Sequence, residues 1–314
     1  MGNTALTACL AHNVRMHAAM KRTKWIAVAS VFIAAQGCKR PSQDVANRSA
    51  SAPVVVDSKP QDIGVKFNKV NPTVGAKSEE TDKSDMHMKI AMGKRAFEFA
   101  EQESTKRVEE VLEVSNDAVT KLRVTFAEDS KTKAEDGKAG KTKASAVTGK
   151  TYVVFLKDGK VKVLNDKDKP ASSNEATLVA KKYKSFGKPD TLFASLPVRS
   201  LKEGEEVPEL ANAITEKLDP KNKSEKVTFE DTKINFSGKD GEDGVFDVSV
   251  TMKVGGFMKM SIPLKGKLRA HLANARPSSL VLEGPMNFEL KERDKKQGVE
   301  ANGTVSVESS CSSI

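Results

Sequence analysis

Phe246, Val248, Val250, Met252 and Val254 are apolar at every second position, with Asp247, Ser249, Thr251 and Lys253 between them. A helix would scatter such a set around its circumference, whereas a strand places it on one face. The alternation resumes at Met258, Met260, Ile262 and Leu264 and runs on through Leu268 and Leu272. Leu280 and Leu282, then Met286, Phe288 and Leu290, and finally Val299, Ala301, Val305 and Val307 repeat it. Each run has one apolar and one polar face, the pattern of an antiparallel sheet with one wet side. Short turns between the runs, such as Gly255-Gly256, make the series a meander.

The first half of the chain carries the same signal less regularly. Ile63, Val65 and Phe67 alternate, as do Met86, Met88, Ile90 and Met92, and then Leu122, Val124 and Phe126. Tyr152 to Leu156 and Val161 to Val163 flank Lys157-Asp158-Gly159-Lys160, and Asp-Gly between two such runs is a strong hairpin signal. The charged stretches 77–85 and 128–148 read as long exposed loops between strands. Two helices separate the halves. Ser172-Ser173-Asn174-Glu175 offers caps and an early acid before the stripe Leu178, Val179, Tyr183 and Phe186, which Gly187 and Pro189 end. Val207-Pro208 opens the second, with Leu210, Ile214 and Leu218 at spacing four and Pro220 beyond. Leu192, Phe193 and Leu196 form an apolar plug between them.

The expected fold is therefore mainly β (α+β). It is a curved antiparallel sheet, or half-barrel meander, with two helices between N-terminal strands (61–166) and C-terminal strands (227–308). The helical link covers 172–220. Helices on the concave side would bury both sets of apolar faces in one core. Two consecutive β halves joined by a helical linker is the alternative. Residues 309–314, with Cys311 among serines, read as a frayed tail.

Ahead of this body lies a targeting signal. Lys21, Arg22 and Lys24 precede the apolar run Trp25 to Ala35, and Gln36-Gly37-Cys38 follows. Charge, apolar stretch and small residues in that order form a secretory signal peptide (1–37), and Met20 reads as its better start. The run is short of the ~20 residues that span a bilayer. Ala35-Gln36-Gly37-Cys38 resembles the bacterial lipobox, with Ala35 where Leu is usual. That resemblance implies cleavage after Gly37, lipidation of Cys38 and a lipid-anchored protein of the cell envelope. Lys39-Arg40 in place of an acid favours the outer membrane. Residues 38–60, rich in Ser, Ala and Pro, form a tether, and 61–308 the folded body.

The leader holds four basic residues and no acid, so the net charge falls from +10 to +6 in the 277-residue mature chain. Lysines interleave with acids, which describes a solvated surface and no nucleic-acid footprint. With Cys38 acylated, Cys311 has no partner for a disulfide within the mature chain.

No motif names a reaction or a cofactor. Gly140-Lys141-Thr142 would end a phosphate-binding loop, but Glu135 stands where its first glycine belongs. Ser130 and Lys133 match Ser-x-x-Lys without the companion motifs. The mature chain has two histidines, His87 and His271; neither accompanies a Gly-x-Ser-x-Gly elbow, and His271 reads as a surface position. A copper site from Met86-His87-Met88 is opposed by geometry, because on a strand His87 points away from both methionines. Asp240 cannot open a calcium loop, since the fifth position is Gly244. Met88, Met92, Met252, Met258 and Met260 are left as candidates to face an apolar ligand.

Gly149 to Val154, Lys188-Pro189-Asp190, Leu201 to Pro208, Leu264 to Leu268 and Asn274 to Pro277 together resemble an uncharacterised family of bacterial secreted lipoproteins, over 62–308. The architecture is also similar to periplasmic lipoprotein carriers, whose helix-covered half-barrels hold acyl chains. That likeness is one of fold, and fold does not imply function; the Met-rich sheet face with two amphipathic helices to cover it is what points to a non-enzymatic envelope lipoprotein binding a lipid or other apolar ligand. The alternative is a structural or interaction lipoprotein with a filled core that works through its Lys-rich loops.

Overall fold

The computed structural model describes residues 64–183, 185–188, 190–218, 227–255, 259–289 and 298–314. Gly37, Cys38, the tether, Ile63, Pro220 and Met258 lie outside these residues.

Eleven strands form one antiparallel, unclosed sheet. In chain order they are β1 (Lys77–Met92), β2 (Arg95–Ser115), β3 (Ala118–Glu135), β4 (Lys138–Ala144), β5 (Lys150–Lys157) and β6 (Lys160–Asn165). Then come β7 (Val227–Asp240), β8 (Asp243–Val254), β9 (Lys259–His271), β10 (Pro277–Glu289) and β11 (Val299–Ser313). Their spatial order is β6-β5-β3-β2-β1-β11-β10-β9-β8-β7, with β4 beside the far part of β3. Two meanders are thus zipped together by their terminal strands, β1 against β11 over the register Ser78↔Ser313 to Met92↔Val299. Three helices lie between β6 and β7: α1 (Ser173–Lys182), α2 (Thr191–Ser195) and α3 (Pro208–Leu218). The expected apolar plug is α2, started by the Asp190 carboxylate accepting from the Leu192 amide.

Local chemistry explains these elements. Ser172 and Glu175 form a reciprocal capping box at the start of α1. Asp158 and Gly159 both have positive φ, as a two-residue turn between Lys157 and Lys160 requires. The open edges of β6 and β7 are partly covered by the chain itself. Ala171 donates to Val163 O at 3.2 Å, and Val207 donates to Ile234 O at 2.8 Å.

Three expectations need correction. The stretch 77–85 is the first half of β1, and 128–144 is the end of β3 followed by β4; neither is a loop. Their alternation is of polar residues, which an apolar-periodicity reading does not register. The supposed tail is the end of β11, where Cys311 is 4% exposed, because it pairs with β1 at Glu80. The expected strand at 63–67 is a single bridge, Val65 to Leu201, with Phe67 stacked on Phe246 at 5.6 Å between ring centres.

The sheet face that carries the helices holds two apolar clusters. The larger joins β7–β11 to α2 and α3, with Phe236, Phe246, Ile262, Leu264, Leu280, Leu210 and Ile214 all buried. The smaller joins β2, β3, β5 and β6 to α1 through Val124, Phe126, Tyr152, Val154, Val179 and Tyr183. Each buried aliphatic or aromatic side chain contributes roughly 1.5–3 kcal/mol. Among the described residues no helix is long and apolar enough to cross a membrane.

Candidate functional site: a charged seam between two cores

The central strands are long enough to pass under both clusters, and between the clusters their helix-side face turns polar. On β1 that face carries Ser78, Glu80, Asp82 and Ser84, before Met86 restores the apolar pattern. On β2 it carries Glu101, Glu103, Thr105, Arg107 and Glu109. A register shift in β3 between Phe126 and Glu128 changes the phase of that strand, so Asp129, Lys131 and Lys133 follow Phe126 onto the same face.

Arg107 is the centre. It is 4% exposed, and its guanidinium donates to three carboxylates. Nη1 reaches Asp82 Oδ2 at 2.7 Å and Nε reaches Glu109 Oε1 at 3.0 Å, while Nη2 is bonded to Glu80. The Tyr183 hydroxyl, at the end of α1, donates to Glu109 Oε1 at 2.5 Å, and the Ser309 hydroxyl of β11 donates to Asp82. Burial pushes the Glu109 carboxyl up, with Arg107 and Tyr183 pulling it only part of the way back. Burial and the adjoining Glu109 charge hold the Tyr183 phenol well above its ordinary range. Four elements therefore converge on one cation, and loss of that cation would leave buried carboxylates without compensation.

The seam continues toward solvent. Lys182, also at the end of α1, donates to Asp129 Oδ1 at 2.8 Å and to Thr105 Oγ1 at 3.1 Å. Burial alone would raise the Asp129 carboxyl, but Lys182 and the hydroxyl donors more than offset it, and the net shift is downward. Next, Lys131 bridges Glu101 Oε1 at 2.6 Å and Glu103 Oε1 at 2.7 Å, and Lys133 pairs with Glu101. Lys182 and Tyr183 thus lock the helix to β2 and β3 by an ion pair and hydrogen bonds, while Val179 holds it by packing.

The seam is an arrangement for holding charges in fixed places. Among the described residues no group of three or more His, Cys, Asp or Glu is set to hold a metal ion. His271 is half-buried rather than exposed, with Nδ1 2.5 Å from Asp243 Oδ1. The Ser278 hydroxyl donates to the other oxygen of Asp243 at 3.0 Å. The carboxylate stands in the middle of that trio, whereas a nucleophilic triad needs the imidazole between acid and hydroxyl.

The sequence-derived methionines separate into two groups. Met252 and Met260 are 7% and 2% exposed inside the larger cluster, filling it against the protein's own Ile262 and Leu264. Met88 and Met92 are half-buried at the far end of β1. His87 lies on the opposite face, exposed, with Nε2 2.8 Å from Asp85 Oδ1. There it lines an open groove of about 490 Å³ with Lys89, Glu98, Asn302 and Thr304. Arg107 and its carboxylates were not singled out in the sequence. The available signal was charge at period two, Glu80 with Asp82 and then Arg107 with Glu109.

No family model and no curated protein matches the chain. Among solved structures the chain is similar to DynF from the dynemicin biosynthesis pathway of Micromonospora chersina, with 11% sequence identity and a TM-score of 0.22. That likeness covers 82% of this chain and 91% of the other.

Proposed function

We propose that this chain is a non-enzymatic lipoprotein of the bacterial cell envelope, anchored through lipid on Cys38, whose folded body works as an interaction surface rather than as a vessel for a ligand. The resemblance to secreted lipoproteins and the lipobox-like Ala35-Gln36-Gly37-Cys38 support the anchor. The observation that carries the second half is the use made of the methionines. Met252 and Met260, candidates to face an apolar ligand, instead fill the space between β8, β9 and the helices. In the seam each charged side chain is paired with another of the protein's own, which suits a rigid scaffold.

A carrier reading retains one specific support. Met88 and Met92 are half-buried on the helix-side face, where an acyl chain could lie against them. Native mass spectrometry of protein extracted from membranes separates the two. The scaffold reading expects the polypeptide plus its covalent lipid and nothing else; a stoichiometric non-covalent lipid would favour the carrier. Metabolic labelling with radioactive palmitate should mark the wild type and not Cys38→Ser. Equal labelling would remove the anchor from the proposal.

A further inference from the structure

Two cross-strand rows run off the seam and end on unmatched charge. In one, Glu101 of β2 faces Lys133 of β3, which faces Lys141 of β4. In the other, Glu103 faces Lys131, which faces Lys143. Paired residues of antiparallel strands lie on the same face with their Cβ atoms about 4.5–5.5 Å apart. Each row therefore reads acid, base, base. The inner lysines have their carboxylates, Lys131 at 2.6 and 2.7 Å. Lys141 and Lys143 are exposed and, among the described residues, have no carboxylate partner. Like charges directly opposite one another destabilise a sheet, so both rows are incomplete at the same side.

That side is a strand edge. β4 pairs only with β3 among the described strands, while the edges of β6 and β7 are partly covered by neighbouring chain. Among the described residues no strand takes its outer backbone groups, which leaves that edge able to accept another strand. A second copy of β4 is a poor occupant, because it would bring lysine against lysine. An acidic strand would complete both rows as acid, base, base, acid.

We propose that the outer edge of β4 takes an acidic, extended polypeptide segment as an added strand, with carboxylates at alternate positions seated on Lys141 and Lys143. Main-chain hydrogen bonds along the edge supply affinity, and the i, i+2 carboxylate spacing supplies selection. The idea rests on the interaction reading above and gives it a partner chemistry.

The test uses the full chain and a fluorescein-labelled alternating (Asp-Thr)5 peptide, read by anisotropy. Lys141→Glu/Lys143→Glu should weaken binding by about tenfold or more, the size of two charge contacts reversed. Lys141→Arg/Lys143→Arg should retain it. A peptide N-methylated at every residue keeps its charge but has no N–H on either edge with which to pair as a strand, and should not bind. Equal binding of the N-methylated peptide, or no effect of the charge reversal, overturns the proposal. So does lysine-dependent sedimentation with phosphatidylglycerol vesicles when the peptide does not bind, which would make the surface a membrane contact. The reversed variant should melt no lower than wild type, because its rows then alternate in sign, so lost binding cannot be put down to unfolding. Peptide binding can be read with or without lipid on Cys38, so its failure and failure of the anchor are distinguishable.

Discussion

The two meanders use the same helix-side face in opposite ways. Across β8, β9 and β10 every inward position from Phe246 to Val254, and Met260, Ile262, Leu264, Leu280 and Leu282, is apolar and buried. Across β1, β2 and β3 the same face passes from Val124 and Phe126 into Glu80, Asp82, Arg107, Glu109 and Asp129. One half distributes its stability over many interchangeable contacts. The other concentrates it on a single buried cation whose partners come from β1, β2 and, through Tyr183 and Ser309, α1 and β11. Apolar contacts stabilise in proportion to area, whereas a buried ion network is favourable only while every member is present.

The largest expected effect comes from removing that cation. Arg107→Ala leaves Glu80, Asp82 and Glu109 buried without their guanidinium and should cost about 3–5 kcal/mol in urea unfolding. In the other meander Ile262→Ala, at 0% exposed, should cost about 2–5 kcal/mol by opening a cavity. The sharper comparison is a compound variant. Replacing Glu80, Asp82, Arg107 and Glu109 together by apolar residues of similar volume should recover most of the loss, since matched apolar substitutes for buried ion networks are often neutral. No recovery would mean that the seam is held by something other than its charge balance.

This contrast also explains what could be read in advance. The mainly β architecture, the helices between the strand sets, the Asp158-Gly159 hairpin and the capping box at Ser172 all follow from apolar periodicity or turn chemistry. In β8 and β9 the apolar period marks the face from Phe246 to Val254 and from Met260 to Leu268, whereas in β7 a register shift between Glu230 and Lys233 breaks it. The seam was illegible for a physical reason: Ser78, Glu80 and Asp82 alternate as a buried strand does, but with residue types that ordinarily mark solvent. The register shift after Phe126 hid the rest, because it moved Asp129, Lys131 and Lys133 off the phase that Leu122, Val124 and Phe126 had set. Pairing across strands, unlike periodicity along one, is not written in any single stretch.

Tyr183→Phe tests how the helix is tied to the seam. It deletes the donor to Glu109 while leaving the ring packed on Phe186, and should cost about 1–2 kcal/mol. The loss should appear as faster hydrogen exchange in α1 before any change in β8 or β9.

The pH dependence should divide along the same line. Glu109 has a raised folded-state pKa, so its contribution is present at low pH and is lost as pH rises through the folded value; Glu109→Gln should remove that loss. Glu103, also raised by burial, acts with the same sign. Asp129 is lowered, so its contribution is present above the unfolded value and lost as pH falls through the folded one; Asp129→Asn should flatten the acid side. Chemical-denaturation midpoints against pH check both. Ile262→Ala should lower the whole curve without changing its shape, and a change of shape there would join the two halves that the structure keeps chemically distinct.

The smallest effect has the opposite sign from the others. Lys141→Glu and Lys143→Glu convert acid-base-base rows into alternating ones and should each add about 0.2–1 kcal/mol in the same unfolding measurement. Raised salt should shrink the gain, because both sites are exposed. Lysine at both positions suits a surface that takes an acidic strand, and a stability loss on reversal would instead assign Lys141 and Lys143 to the fold.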